Sequence, residues 1–137
     1  RYRTRDLSRI LPGECPCGRT FRRMERVLGR SDDMLIIKGV NVFPMQIEKV
    51  LFEVEGTEPH YQIIVEREHH SDRATVLVEA TEALLSDQMR QQKATVDHIK
   101  HHLNSELGIN VEVRLVEERS LERSEGKARR VIDRRTY

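Results

Sequence analysis

The sequence predicts an α+β fold: a small antiparallel sheet with helices on one face, preceded by a β-hairpin and by a segment trailing from another domain. Three observations predict it. Two short apolar runs flank Lys38-Gly39; apolar residues recur at helical spacing from Ile47 and again from Leu85; and three stretches, around Tyr61, Val76 and Val111, alternate as strands do.

Residues 1–32 hold clustered arginines, Pro12-Gly13 and Cys15-Pro16-Cys17, with little periodicity beyond a short strand pattern. They read as the end of a preceding amino-terminal domain together with a hinge, and residues 33–137 as a second unit. Within that unit, Met34 to Ile37 and Val40 to Phe43 flank Lys38-Gly39, a strand, tight turn and strand. Pro44 follows at a position where a first helical residue tolerates proline. Ile47, Val50, Leu51 and Val54 then fall on one face of a helix ending near Gly56. Tyr61, Ile63 and Val65, and later Val76, Val78 and Ala80, alternate with other residues along two strands joined by a polar turn from Glu68 to Asp72. One long helix is expected next, capped by Ser86, carrying Leu85, Met89, Val96, Ile99, Leu103 and Leu107 on its apolar side and ended by Gly108. Val111, Val113 and Leu115 form a last strand, so helices pack on one face of a small sheet.

The 137 residues give room for one compact domain and some extra chain. Lys plus Arg number 24 against 23 Asp plus Glu, and a net charge of +1 gives no global attraction to nucleic acid or to an anionic membrane. Charged residues at 34%, hydrophobic ones at 37% and no Trp fit a well-solvated domain with an aliphatic core, and large aromatic ligand pockets are not expected in it. No apolar run approaches the roughly 18 residues of a membrane helix, so a cytoplasmic location is expected. Beginning with Arg, the sequence reads as a piece of something longer.

Four segments carry candidate chemistry. Asp6 closes Tyr2-Arg3-Thr4-Arg5-Asp6; its carboxylate is an acceptor suited to paired hydroxyls, and on its own the cluster reads equally as surface charge. Arg30 and Asp32 lie in Gly29-Arg30-Ser31-Asp32, which also suits a plain turn before a strand. Lys38-Gly39-Val40 brings a cation and a glycine together at a turn, and is also what an ordinary hairpin needs. Lys127 stands in Arg123-Ser124-Glu125-Gly126-Lys127-Ala128, which is not a Walker phosphate loop and by itself reads as a solvated basic tail. Cys15 and Cys17, one residue apart, are too close for an ordinary structural disulfide; they supply two thiolates toward a Zn site that needs four ligands, or stay a free reduced pair. His98 and His102 share a helix face without a carboxylate between them and read as solvent-exposed.

Taken in order, these segments resemble the carboxyl-terminal motifs of the adenylate-forming acyl-CoA synthetases, and Arg5, where many members carry Gly, resembles the phenylacetate branch. The resemblance covers nearly the whole chain but only the carboxyl-terminal third or so of such a ligase. It implies an acid-thiol ligase that activates phenylacetate or a related aryl acid with ATP and Mg, releases pyrophosphate, and passes the acyl group to CoA. The chain would be its mobile lid, inactive alone, working against a missing amino-terminal domain; a homodimer stays open. Asp6 and Arg30 would bind the ribose of the nucleotide and Asp32 would be the hinge. Lys38, Gly39 and Val40 would meet the pantetheine arm and phosphates of CoA, and Lys127 would join the reacting carboxylate to the α-phosphate. The alternative is a non-catalytic ferredoxin-like module binding a small molecule or RNA, for which the basic run from Arg123 to Arg135 is suited. The scarcity of aromatic stacking positions makes nucleic acid the weaker expectation.

Overall fold

The structure, a computed structural model, describes residues 2–86, 88–122 and 130–136. It begins as a thin antiparallel ribbon. Strand β1 (Asp6–Leu7) pairs with β2 (Gly29–Arg30), and an isolated bridge joins Ile10 to Met24 farther along. Its apolar side chains stay in solvent, with Ile10, Phe21, Met24 and Leu28 all exposed.

The hairpin follows, with β3 (Leu35–Ile37) against β4 (Val40–Val42) in the register Ile37↔Val40. Its two-residue turn has Lys38 at φ 51° and Gly39 at φ 79°. Positive φ at both central residues is the turn that matches the right-handed twist of paired strands. Helix α1 (Pro44–Phe52) starts at its proline; the Gln46 side chain accepts from the Phe43 N–H at 2.9 Å, and Ile47, Val50 and Leu51 are buried.

The main sheet has four strands in the order β7-β6-β5-β8. Strands β5 (Thr57–Glu68) and β6 (Ser71–Ala80) form its antiparallel centre, turning at His69 and His70, again with positive φ at both. Both run farther than the alternation alone implies, since Arg67 and Glu68 pair with Asp72 and Ser71. The outer strands are parallel to their neighbours: β7 (Glu112–Val116) lies beside β6 and β8 (Val131–Asp133) beside β5. A parallel neighbour requires a crossover, and α3 supplies the one between β6 and β7.

Where one helix was expected there are two, α2 (Glu82–Ser86) and α3 (Met89–Leu107). Thr81 Oγ1 accepts from the Leu84 N–H and begins α2, while Ser86 Oγ donates to the Ala83 carbonyl and so belongs to the end of α2 and does not cap the longer helix. Met89, assigned to the apolar side by its spacing, is 86% exposed. The other end is as expected, with Gly108 at φ 70° and its N–H donated to Asn104.

One core joins these parts. Tyr61, Ile63 and Val65 of β5, Val76 and Val78 of β6 and Val113 of β7 face Ile99, Leu103 and Leu107 of α3 and the buried side of α1, and Ile37 and Val42 carry the hairpin into the same cluster. Each fully buried aliphatic side chain contributes about 2 kcal/mol through burial. On the opposite sheet face, Glu79 is also wholly buried, and its Oε1 accepts from the Leu121 N–H at 3.0 Å. No described helix is long and apolar enough to cross a membrane.

Candidate functional site

At the base of the ribbon, Asp6 and Arg30 are direct cross-strand partners. The intervening residues form the ribbon, which returns the chain to the starting point. Arg30 is then held by Asp32, Nε to Oδ1 at 3.0 Å and Nη2 to Oδ2 at 2.9 Å. This planar two-point pairing lowers the Asp32 carboxyl below its ordinary range and raises the Arg30 guanidinium, each mainly through the hydrogen bonds they share. Arg5 reaches the same carboxylate at 3.4 Å. Its φ of 66° is a conformation that glycine enters freely and Arg does not. Two bonds from Ser31 to the Arg5 carbonyl, N–H at 2.8 Å and Oγ at 3.2 Å, hold it there.

The ribbon base also approaches the far end of the hairpin: a Cβ on Gly29 would come within 3.3 Å of the Phe43 ring. Asp32 therefore sits in the turn between two contacting bodies. At the opposite end of the hairpin, Lys38 and Gly39 are exposed, and a Cβ on Gly39 would meet nothing within 4 Å. Glycine at that point keeps the backbone open to an approaching group while accepting a positive φ. The Lys38 side chain makes no ion pair among the described residues, and Val40 packs partly against the core.

Behind this turn lies a charged cluster that the sequence reading missed. Asp72, just after the β5–β6 turn, accepts from the Lys38 N–H at 3.3 Å and from Arg135 Nη1 at 3.1 Å through Oδ2, and from Arg67 Nε at 3.0 Å through Oδ1. Arg135 also donates to the Ile36 carbonyl at 2.7 Å and to Asp133. Burial pushes the Asp72 carboxyl up, but the bonds from Arg67 and Lys38 and the two guanidinium charges more than offset this and hold it low. A cavity of about 500 Å³ opens between this cluster and the hairpin. Only the lengths of chain between Asp72 and Arg135, and between Arg135 and Ile36, separate these residues in sequence, and no local pattern marks them.

A second cluster stands where β8 begins. Arg130 pairs with Glu48 of α1 and donates to the Tyr61 hydroxyl at 3.3 Å, and its guanidinium lies 5.0 Å from the Tyr61 ring centre. Tyr61 in turn donates to the Pro44 carbonyl at 3.1 Å. Burial, with the Glu48 carboxylate adding to it and Arg130 opposing, raises the Tyr61 phenol to about 12. Lys127 lies outside the described residues. Cys15 and Cys17 stand at the tip of the ribbon with their Sγ atoms 2.8 Å apart, and the contact with Cys15 lowers the Cys17 thiol. Among the described residues no third His, Cys, Asp or Glu joins them as a metal ligand, so a closed Zn site here would need two further ligands from outside them.

The structure thus brings Asp6, Arg30 and Asp32 together at the base of the ribbon and sets Lys38, Gly39 and Val40 at the turn end of the adjoining hairpin. Comparison with known proteins shows what the chain is similar to. Residues 39–135 match the AMP-binding enzyme C-terminal domain. The chain is 49% identical over 135 residues to the phenylacetate-coenzyme A ligase of Escherichia coli K12, covering 98% of this chain and 30% of that enzyme. A crystallised domain of phenylacetate-coenzyme A ligase from Bacteroides vulgatus superposes with a TM-score of 0.70 at 36% identity, covering 77% of this chain and 95% of that domain. A 2-hydroxyisobutyryl-CoA ligase bound to 2-HIB-AMP in its postadenylation state superposes with a TM-score of 0.80 at 33% identity, over 95% of this chain and 28% of that one. The same ligase with 2-HIB-AMP and CoA in its thioesterification state gives 0.71 at 33% identity, over 96% and 28%. The chain spans about a third of the length of the curated relatives it matches.

Proposed function

The chain belongs to the family of carboxyl-terminal domains of AMP-binding enzymes, and from that membership we propose that it is the mobile lid of an ATP-dependent phenylacetate-CoA ligase. The observation that carries the reading is the hinge geometry: Asp6 and Arg30 are opposed across one strand pair, and Asp32, at the turn into the hairpin, grips Arg30 with both oxygens.

In the first half-reaction a carboxylate oxygen of the acid attacks the α-phosphorus of ATP, delivered as its Mg complex, and the bond to pyrophosphate breaks. Asp6 accepts hydrogen bonds from the ribose hydroxyls, Arg30 fixes the nucleotide at the domain boundary, and Lys127 neutralises the charge shared by carboxylate and phosphate. In the second, the CoA thiolate attacks the acyl carbon and AMP leaves as the carbon–oxygen bond breaks. The Lys38-Gly39 turn then lies along the pantetheine arm, with the lysine meeting phosphate. Two steps that need different groups at one centre are served by one small domain that rotates. The better superposition on the postadenylation form of the hydroxyisobutyryl ligase than on its CoA-bound form is in keeping with a domain that takes up different arrangements in the two half-reactions. Neither half-reaction as written calls on Zn, and the sheet face opposite the helices carries Gln62, Ile64, Thr75 and Leu77, with no Phe, Tyr or Trp among the described strand residues on that face to form a platform for RNA.

Phenylacetate-dependent pyrophosphate exchange, followed by CoA transfer, in a ligase carrying this domain tests the proposal. Turnover of phenylacetate well above 2-hydroxyisobutyrate is expected. Failure to form an adenylate from any aryl acid would contradict it.

A further inference from the structure

Each strand of the hairpin has only three residues, and it pairs with no strand of the main sheet. A two-stranded hairpin of this size is marginal in water and needs other support. Ile37, beside the turn, and Val42, at the far end of the ladder, provide it by entering the core. Beyond the Ile37↔Val40 pair the Lys38-Gly39 turn itself is exposed, yet it holds Lys38 at φ 51°, a conformation disfavoured for a residue with a side chain.

Further support at the turn is electrostatic. Asp72 accepts the Lys38 N–H, and Arg135 spans from Asp72 to the Ile36 carbonyl, so the last part of β3 and the first turn residue are tied to the β5–β6 turn. The tie is sheltered: the side chains of Arg135 and Asp72 are only 8% and 9% exposed. Asp133 takes the remaining face of the guanidinium and Arg67 the other Asp72 oxygen, which fixes both groups in orientation. A planar fork with several fixed donors suits this bridge in a way that a single ammonium does not.

We propose that Arg135 is a positioning residue for thioester formation: by bridging Asp72 and the Ile36 carbonyl it holds the Lys38-Gly39 turn in the shape that receives the CoA arm. This rests on the ligase reading above. Arg135 touches no reacting atom; it acts through the hairpin.

The test has two arms. In the 137-residue chain, Arg135→Gln should speed amide exchange at Lys38 by about tenfold or more, as expected when a sheltered charge-assisted hydrogen bond is lost, and leave exchange at Ile63 and Val76 unchanged. In a ligase carrying the domain, the same variant should slow CoA transfer from preformed acyl-adenylate by about tenfold or more and raise the KM for CoA, with the KM for ATP and pyrophosphate exchange within about twofold of wild type. Arg135→Lys should recover part of the loss, because charge is kept and the fork is not. Unchanged exchange at Lys38, or equal losses in both half-reactions, overturns the inference. Gly39→Trp serves as the control for the underlying reading. If it fails at CoA transfer while Arg135→Gln does not, the inference alone falls; if it leaves CoA transfer intact, the hairpin's role falls and the inference with it.

Discussion

Arg30 and Asp32 meet through two parallel hydrogen bonds, at 3.0 and 2.9 Å, inside the turn that connects the ribbon to the hairpin. The residue read as the hinge is therefore also the partner of the residue read as holding the nucleotide. On the proposed reading, a rotation about Asp32 carries its carboxylate with Arg30 or releases it, which would link nucleotide grip to lid orientation.

That link separates two substitutions. Asp32→Ala removes the carboxylate but leaves the backbone free, so both half-reactions should continue with a raised KM for ATP. Asp32→Pro also fixes φ near −65°, so pyrophosphate exchange should persist while CoA transfer falls by about a hundredfold or more. Rapid-quench measurement of each half-reaction checks this, and undiminished CoA transfer in the Pro variant would place the hinge elsewhere.

The isolated chain should unfold cooperatively and form no phenylacetyl-CoA, because its core is continuous while the proposed reading puts the acid pocket in an amino-terminal domain. Within it, Ile63→Ala should cost about 2–5 kcal/mol, and Met89→Ala should change stability by less than about 0.5 kcal/mol. Denaturant unfolding of the two variants measures the contrast, and a comparable cost at both positions would contradict the exposure of Met89.

That contrast also marks what the sequence made legible. The hairpin and α1 were readable because Lys38-Gly39 and Pro44 are strong local signals, and the core face of β5 was readable from the period-two pattern through Tyr61, Ile63 and Val65. Met89 misled because its helical spacing from Leu85 continued across the break between α2 and α3. Strand direction at the sheet edges was not readable: Val76 pairs with Val113 and Ile63 with Val131, and such long-range pairing leaves no local trace. Glu79 alternates with buried valines and so reads as solvated, yet the Leu121 backbone covers it. Asp6, Arg30 and Asp32 were singled out by motif, and the structure sets them beside one another; Asp72 and Arg135 sit in a polar turn and a basic run where nothing local distinguishes them from their charged neighbours.

Tyr61 gives a pH signature. Its folded phenol keeps its proton to about 12 against an ordinary value of 10.0, so the folded state binds more protons between those values. The associated stability is complete below pH about 10 and is lost as pH rises through about 12, on the order of 2 to 3 kcal/mol in all. Ultraviolet titration should reveal one late phenolate that is missing in Tyr61→Phe, and the variant should lose less thermal stability over that range. A late phenolate persisting in the variant would assign the shift to another tyrosine.

The most direct test of domain alternation measures both half-reactions in single turnover for Lys127→Ala and Gly39→Trp in a ligase carrying this domain. Lys127→Ala should slow adenylation by about a hundredfold or more and leave CoA transfer from supplied acyl-adenylate within about threefold, and Gly39→Trp should do the reverse. Equal losses in both half-reactions for both variants would contradict the account.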